Sequence, residues 1–293
     1  MGFLAAYIMR GRWQAITVAF GLAFLSLFMP PISIVSSAAV ALVTLRRGAV
    51  EGLTVFAIAL ATIGVLGALL GSAQFALLYG VVLWLPIWVI AVLLRAGRQL
   101  SLAIESAVLL GGVSIIGFTL YKPDAAEMWQ KILAQMAPDN ASLETMQPNL
   151  DVIAHYMTGI VVAGTVFGWI FALFLARWWQ AQLYNPDGFR TEYLALSTSS
   201  RLALGSIGLV GIAALTSGGL AELAWNLSIL AFVLYTFVGT AVMHSLLAPL
   251  NQGRYIVIGF YVTVFLIPHL LIPVATIGVA DAWLNLRQKF QKK

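Results

Sequence analysis

Cysteine is absent from the 293 residues, which excludes disulfides, iron–sulfur clusters and thiol chemistry. Charge is scarce. Only 9% of the chain is Asp, Glu, Lys or Arg, against roughly 25% in soluble domains, too little to cover a surface facing water. Strand-like alternation is missing, which disfavours a barrel. Also missing are a phosphate-binding glycine loop, an HExxH zinc motif, a nucleophile elbow and any run of metal ligands. These absences remove ATP hydrolysis and the common hydrolytic mechanisms. The chain is therefore read as no enzyme, with no cofactor and no catalytic or metal-binding residue assigned.

What the chain has instead is apolar length. Hydrophobic residues make up 61% of it, and windows of 17 or more recur from end to end, each long enough or nearly so to cross a bilayer core of roughly 30 Å. The expected fold is an all-α, polytopic transmembrane helical bundle, a single integral membrane domain over residues 1–293. The basic region at Arg10 and Arg12 before the first apolar run is expected to precede a retained helix, not a cleaved signal peptide.

Two stretches are broken by proline: 13–45 at Pro30 and Pro31, and 255–286 at Pro268 and Pro273. Each is either one kinked helix or a short hairpin. The positive-inside rule separates the two readings. With two hairpins, fourteen of the sixteen Lys and Arg fall on one side and only Lys122 and Lys131 on the other; two kinked helices give eight on each. The hairpin reading gives about eight full spans, or ten segments when the short ones are counted, with both termini cytoplasmic. The first stretch has 33 residues, about 50 Å of helix against the roughly 60 Å of a round trip, so its tip is expected to stop short of the far surface.

The stretch 121–150 is expected to form an extracytoplasmic loop, with a short amphipathic helix starting near Asp124 and carrying Met128, Ile132, Leu133 and Met136 on one face. The connection 178–193 is expected on the cytoplasmic side, turning at Asn185–Gly188.

Polar residues within apolar runs are the candidate sites, because an ionisable group at the bilayer centre costs at least about 2.5 to 3.5 kcal/mol. Glu105 is read as an interfacial carboxylate or a partner of Arg98, and Asp281 as a structural ion pair with Arg287. Glu222 and Asn226 share one helix face, where they line a cavity or serve the helix start. His269 sits between Pro268 and Pro273. Broken helices free backbone groups to meet a solute, so the Pro30–Pro31 and Pro268–Pro273 tips are candidate cavity positions, with an architectural turn as the alternative. His155 and His244 are read as hydrogen-bonded rather than ligating. Small residues four apart, at Ala57 and Ala61, Gly67 and Gly71, and Gly164 and Gly168, mark expected close helix crossings.

The proline-broken N-terminal pair, LPIWVIAVLLR at 85–95, GTAVMHSLLA at 239–248 and the closing GVADAWLNLRQKF together resemble the YybS-like family of bacterial integral membrane proteins. Gly278, Asp281, Trp283 and Arg287 carry the most specific part of that resemblance. The family is distantly similar to the substrate-capture subunits of energy-coupling-factor vitamin transporters, which implies a bundle able to enclose a small molecule; no binding residue transfers by position. The expected role is a multi-pass protein of the bacterial inner membrane, solute-binding or transport-related and without its own ATPase. Its expected partners are the lipid bilayer, a small-molecule solute and a separate energising or envelope subunit, with no nucleic acid. The alternative is an envelope assembly or scaffold protein acting through helix–helix and loop contacts.

Overall fold

A computed structural model of the chain describes residues 2–69, 71, 73–136, 140–250 and 252–291. Among these residues the regular structure is entirely helical, with no strand. Five helices are long and apolar enough to cross a membrane: Ala49–Leu69, Gln74–Gly97, Leu100–Tyr121, Asn149–Tyr184 and Gly219–Leu247. The count reaches six if the bent pair Gly253–Leu266 and Pro268–Leu284 forms one span. Arg12–Leu25 and Ser200–Leu215 are apolar but shorter, below the roughly 20 residues a span needs.

The chain divides into two compact units, Met1–Ala107 with Phe167–Ala195, and Val108–Val166 with Leu196–Lys293. The first holds α1 (Gly2–Arg10), α2 (Arg12–Leu25), α3 (Ile32–Arg47), α4 (Ala49–Leu69), the short α5 (Ala73–Leu77), a π-helical turn Leu78–Trp84 and α6 (Leu85–Gly97). The boundaries fall inside α7 (Leu100–Tyr121) and, beyond α8 (Ala125–Met136), inside α9 (Asn140–Tyr184), whose second half and α10 (Gly188–Leu194) belong to the first unit. The second unit continues with α11 (Ser200–Leu215), α12 (Gly219–Leu247), α13 (Gly253–Leu266), a 3₁₀ turn Pro268–Leu270, α14 (Leu271–Leu284) and α15 (Leu286–Gln291).

Each unit is built around a central helix. In α3 the ten residues Ser36–Leu45 are all buried, and in α12 so are the ten from Val233 to Val242. A helix apolar on every face belongs inside a bundle. Small residues let neighbours approach α3. Ser36, for example, donates its hydroxyl to the Ala19 carbonyl at 2.7 Å, which ties α3 back onto α2 across the Pro30–Pro31 turn. That turn is a packed hairpin. Pro31 caps the start of α3, where a missing N–H leaves nothing unsatisfied.

The second proline break behaves differently. The chain bends by 113° between Leu266 and Pro268, because Pro268 offers no N–H and keeps Ile267 out of the helical region (φ −123°, ψ 80°). Pro273, in the first turn of α14, is tolerated for the same reason as Pro31. After the bend, α14 lies along α12 and not back along α13. The crossing is at glycine: a Cβ on Gly239 would lie 1.9 Å from the Val274 carbonyl oxygen, and one on Gly278 would lie 2.4 Å from that of Tyr235. Of the glycines singled out by four-residue spacing, Gly71, Gly164 and Gly168 do not make such crossings. Around Gly164 and Gly168 a Cβ would meet nothing within 4 Å.

At the end of the π-helical turn one carbonyl needs an outside donor. Pro86 removes the N–H that an α-helix would offer the carbonyl of Val82, four residues earlier. Trp169 supplies the replacement, donating Nε1–H to the Val82 oxygen at 2.8 Å.

Within 121–150 the expected amphipathic helix is present as α8, and its Trp129 Nε1 donates to Thr158 Oγ1 at 2.9 Å. Residues 137–139 lie outside the described residues. The turn at Asn185–Gly188 is also present, with Asp187 in the left-handed region at φ 65°.

Candidate functional site

Most of the polar candidates turn out to have partners. Asp281, buried at 5% exposure, accepts from Arg287 Nη2 at 2.8 Å and from the backbone N–H of Leu286 at 2.9 Å. Arg287 also donates to the carbonyl of Leu196, so this corner ties α14, α15 and the α10–α11 connection together. A Glu222 carboxylate oxygen, in the first turn of α12, lies 2.8 Å from His155 Nδ1. His244 Nδ1 lies 3.2 Å from the Tyr261 hydroxyl.

Asn226 has the most demanding environment. It is 3% exposed, and its amide bridges two groups of α9: Nδ2 donates to the His155 carbonyl at 2.9 Å, and Oδ1 accepts from the N–H of Gly159. Those two groups are four residues apart, the pair that bonds to itself in an α-helix. The side chain therefore reaches into the backbone ladder of its neighbour, and Gly159 makes room, since a Cβ there would lie 2.7 Å from the Asn226 Cα. Nδ2 also donates to the Glu222 carbonyl at 2.8 Å. The Asn226 crossing is thus fully bonded.

Glu105 and His269 are not. Glu105 is half-buried and makes no hydrogen bond or ion pair among the described residues, with Arg98 or with any other group. His269, Pro268 and Pro273 are exposed around the bend, and Pro30 and Pro31 are exposed at the hairpin turn.

Two cavities stand out, both in the first unit, and neither includes those residues. One, of about 650 Å³, is an open apolar groove between α2 and α4, lined by Phe20 and by Ala57, Ala61, Val65 and Leu69 among others. The other, of about 390 Å³, is lined by Leu45, Arg46, Leu94, Arg95, Arg98, Arg177, Gln180 and Glu192. Four arginines face one carboxylate.

Their positions follow from the helix ends. Arg46 sits in the last turn of α3 and Arg95 in the last turn of α6, where a cation complements the helix dipole. Arg98 caps α6 in the left-handed conformation (φ 52°), its N–H bonded to the Leu94 carbonyl at 2.9 Å. Arg177 projects from α9 and grips Glu192 of α10 with two nitrogens, Nε at 2.8 Å, while Nη1 donates to Gln180 at 2.9 Å. That fork consumes the only carboxylate. Arg95 gives one nitrogen to the Leu45 carbonyl at 2.6 Å. Arg46 lies over the Tyr184 ring at 3.9 Å, a cation–π contact that uses its face and leaves its N–H edge open. The Arg98 guanidinium has no hydrogen bond or ion pair among the described residues. Leu45 and Leu94 form a buried apolar floor.

Comparison of the chain with family models, curated proteins and solved structures finds no match. Fold and site together define an all-helical protein with helices suited to crossing a membrane and one strongly basic cavity. In the sequence these arginines register only as markers of orientation; the signal available was their recurrence at the ends of apolar runs, which carries no information about convergence.

Proposed function

We propose that the chain is a multi-pass protein of the bacterial inner membrane that binds a negatively charged solute group at this arginine-lined cavity, in a solute-binding or transport-related role rather than as an enzyme. In this reading the membrane passages number about eight, or ten segments with the proline-broken pairs, and both termini are cytoplasmic. With both proline-broken pairs returning to the side they start from, the fourteen-to-two distribution of Lys and Arg puts the cavity on the cytoplasmic side. The resemblance to the YybS-like family agrees with a binding bundle that relies on a separate energising subunit. The observation that carries the reading is the cavity itself: about 390 Å³, within the usual range for small-molecule sites, with four arginines and one carboxylate already taken. Unbiased identification of small molecules that co-purify in mild detergent tests it. An anionic compound recovered with the wild type and lost with Arg98→Gln supports it; recovery of only neutral compounds, unchanged in the variant, sinks it.

A second reading, an envelope assembly or scaffold protein, is favoured by the open groove at Ala57 and Ala61 and the unfilled surface at Gly164 and Gly168. Both give a partner helix room for close approach.

A further inference from the structure

We infer that the arginine cavity is a site for a phosphate ester, its phosphate held by Arg46, Arg95 and Arg98 and its organic part laid on Leu45 and Leu94. The inference rests on the anion-binding reading above and goes further by naming the ligand chemistry.

The helix dipole accounts for an arginine in the last turn of α3 and another in that of α6. It does not account for three of them opening into one cavity while the only carboxylate there belongs to a fourth. The same cavity also shows what one guanidinium does with a carboxylate: Arg177 and Glu192 meet fork to fork, and one planar pair satisfies both. Three further guanidiniums, on two helices and an αL cap, are excessive for another planar two-oxygen group. They suit a tetrahedral group that presents three terminal oxygens and up to two charges. Their donors are largely uncommitted: one Arg95 nitrogen is used on Leu45, Arg46 is held by its face on Tyr184, and Arg98 is unbonded among the described residues. All three are exposed, so a ligand has access. A bare phosphate leaves most of about 390 Å³ empty, and the buried leucines match an ester substituent better than water.

Two sources supply this chemistry, a phosphorylated solute and the headgroup of an anionic phospholipid, and the test separates them. Protein stripped of lipid in an uncharged detergent is titrated with phenyl phosphate and, at matched ionic strength, with benzoate. Parallel samples are placed in nanodiscs of phosphatidylcholine with and without phosphatidylglycerol. Unfolding temperature is read for the wild type, Arg46→Gln/Arg98→Gln and Arg98→Lys. The expected result is a rise of about 3 to 5 °C with phenyl phosphate at roughly ten times its Kd, little with benzoate, loss of the rise in the double variant and a partial rise in Arg98→Lys. A rise only with phosphatidylglycerol, abolished by the double variant, supports the site and assigns it to lipid. An equal rise with benzoate, lost in the double variant, overturns the phosphate assignment and leaves the anion reading standing. A rise that persists in the double variant, or no rise in any arm, overturns both. Should the double variant not fold, Arg98→Lys carries the same comparisons, since it keeps the charge and loses the fork.

Discussion

At Asn226 a side-chain amide stands between two backbone groups that are natural partners of each other. This sets an unusual order of substitution effects. In Asn226→Ala, the His155 carbonyl and Gly159 N–H keep each other as helical partners, so the loss is about 1 to 2 kcal/mol from the vacated space and the missing contacts. In Asn226→Asp the shape is kept, but an oxygen replaces the nitrogen that donates to the His155 and Glu222 carbonyls. An acceptor facing two acceptors in a buried site costs more than the deletion. Thermal unfolding in detergent is therefore expected to rank wild type above alanine and alanine above aspartate, with the aspartate variant recovering as pH falls and its carboxyl gains a proton. Asp281 follows a simpler rule. Asp281→Leu removes the buried partner of Arg287 and is expected to lower stability by about 3 kcal/mol; an unchanged melting profile in detergent would contradict a structural role for the pair.

Among the elements, the glycines distinguish pattern from packing. Gly164 and Gly168 fit the small-residue spacing, yet Gly239 and Gly278 hold the α12–α14 crossing. Gly239→Ala is expected to force the two helices apart and lower the unfolding temperature by several degrees. Gly164→Ala, with open space around it, is expected to be neutral or to gain up to about 1 kcal/mol from helix propensity. The π-helical turn permits a sharper test. If Trp169 serves the Val82 carbonyl because Pro86 does not, Trp169→Phe should cost about 1 to 2 kcal/mol alone. In a Pro86→Ala background, where residue 86 regains its N–H, most of that cost should vanish. A double-mutant cycle by thermal unfolding measures the coupling, and additive effects would refute the link. The two proline breaks show the same limit on local reading. Both stop a helix, but one closes into a hairpin and the other opens to 113°. What decides is the neighbour: α3 finds α2 through Ser36 and Ala19, whereas α14 finds α12 at Gly239.

For the whole molecule, orientation is the first matter to test, and a cysteine-free chain suits it. With a membrane-impermeant thiol reagent on intact cells, Lys122→Cys is expected to label and Arg190→Cys to label only after lysis; the reverse pattern would invert the proposed topology. Several properties were determined by the sequence alone. A chain with 61% hydrophobic residues, 9% charged ones and no strand-like alternation reads as helices suited to a membrane, since a bilayer leaves backbone groups unsatisfied outside helices and closed barrels. Pro30–Pro31 and Pro268 marked helix ends, and the Asp281–Arg287 pair was legible because its six-residue separation is local. The arginine cavity, the Asn226 bridge and the crossings at Gly239 and Gly278 were decided only by tertiary structure. In helices apolar on most faces, periodicity does not say which face turns inward. Arg46, Arg95, Arg98 and Arg177 are up to 131 positions apart, and their meeting depends on helix rotations that are set by contacts distant in the chain.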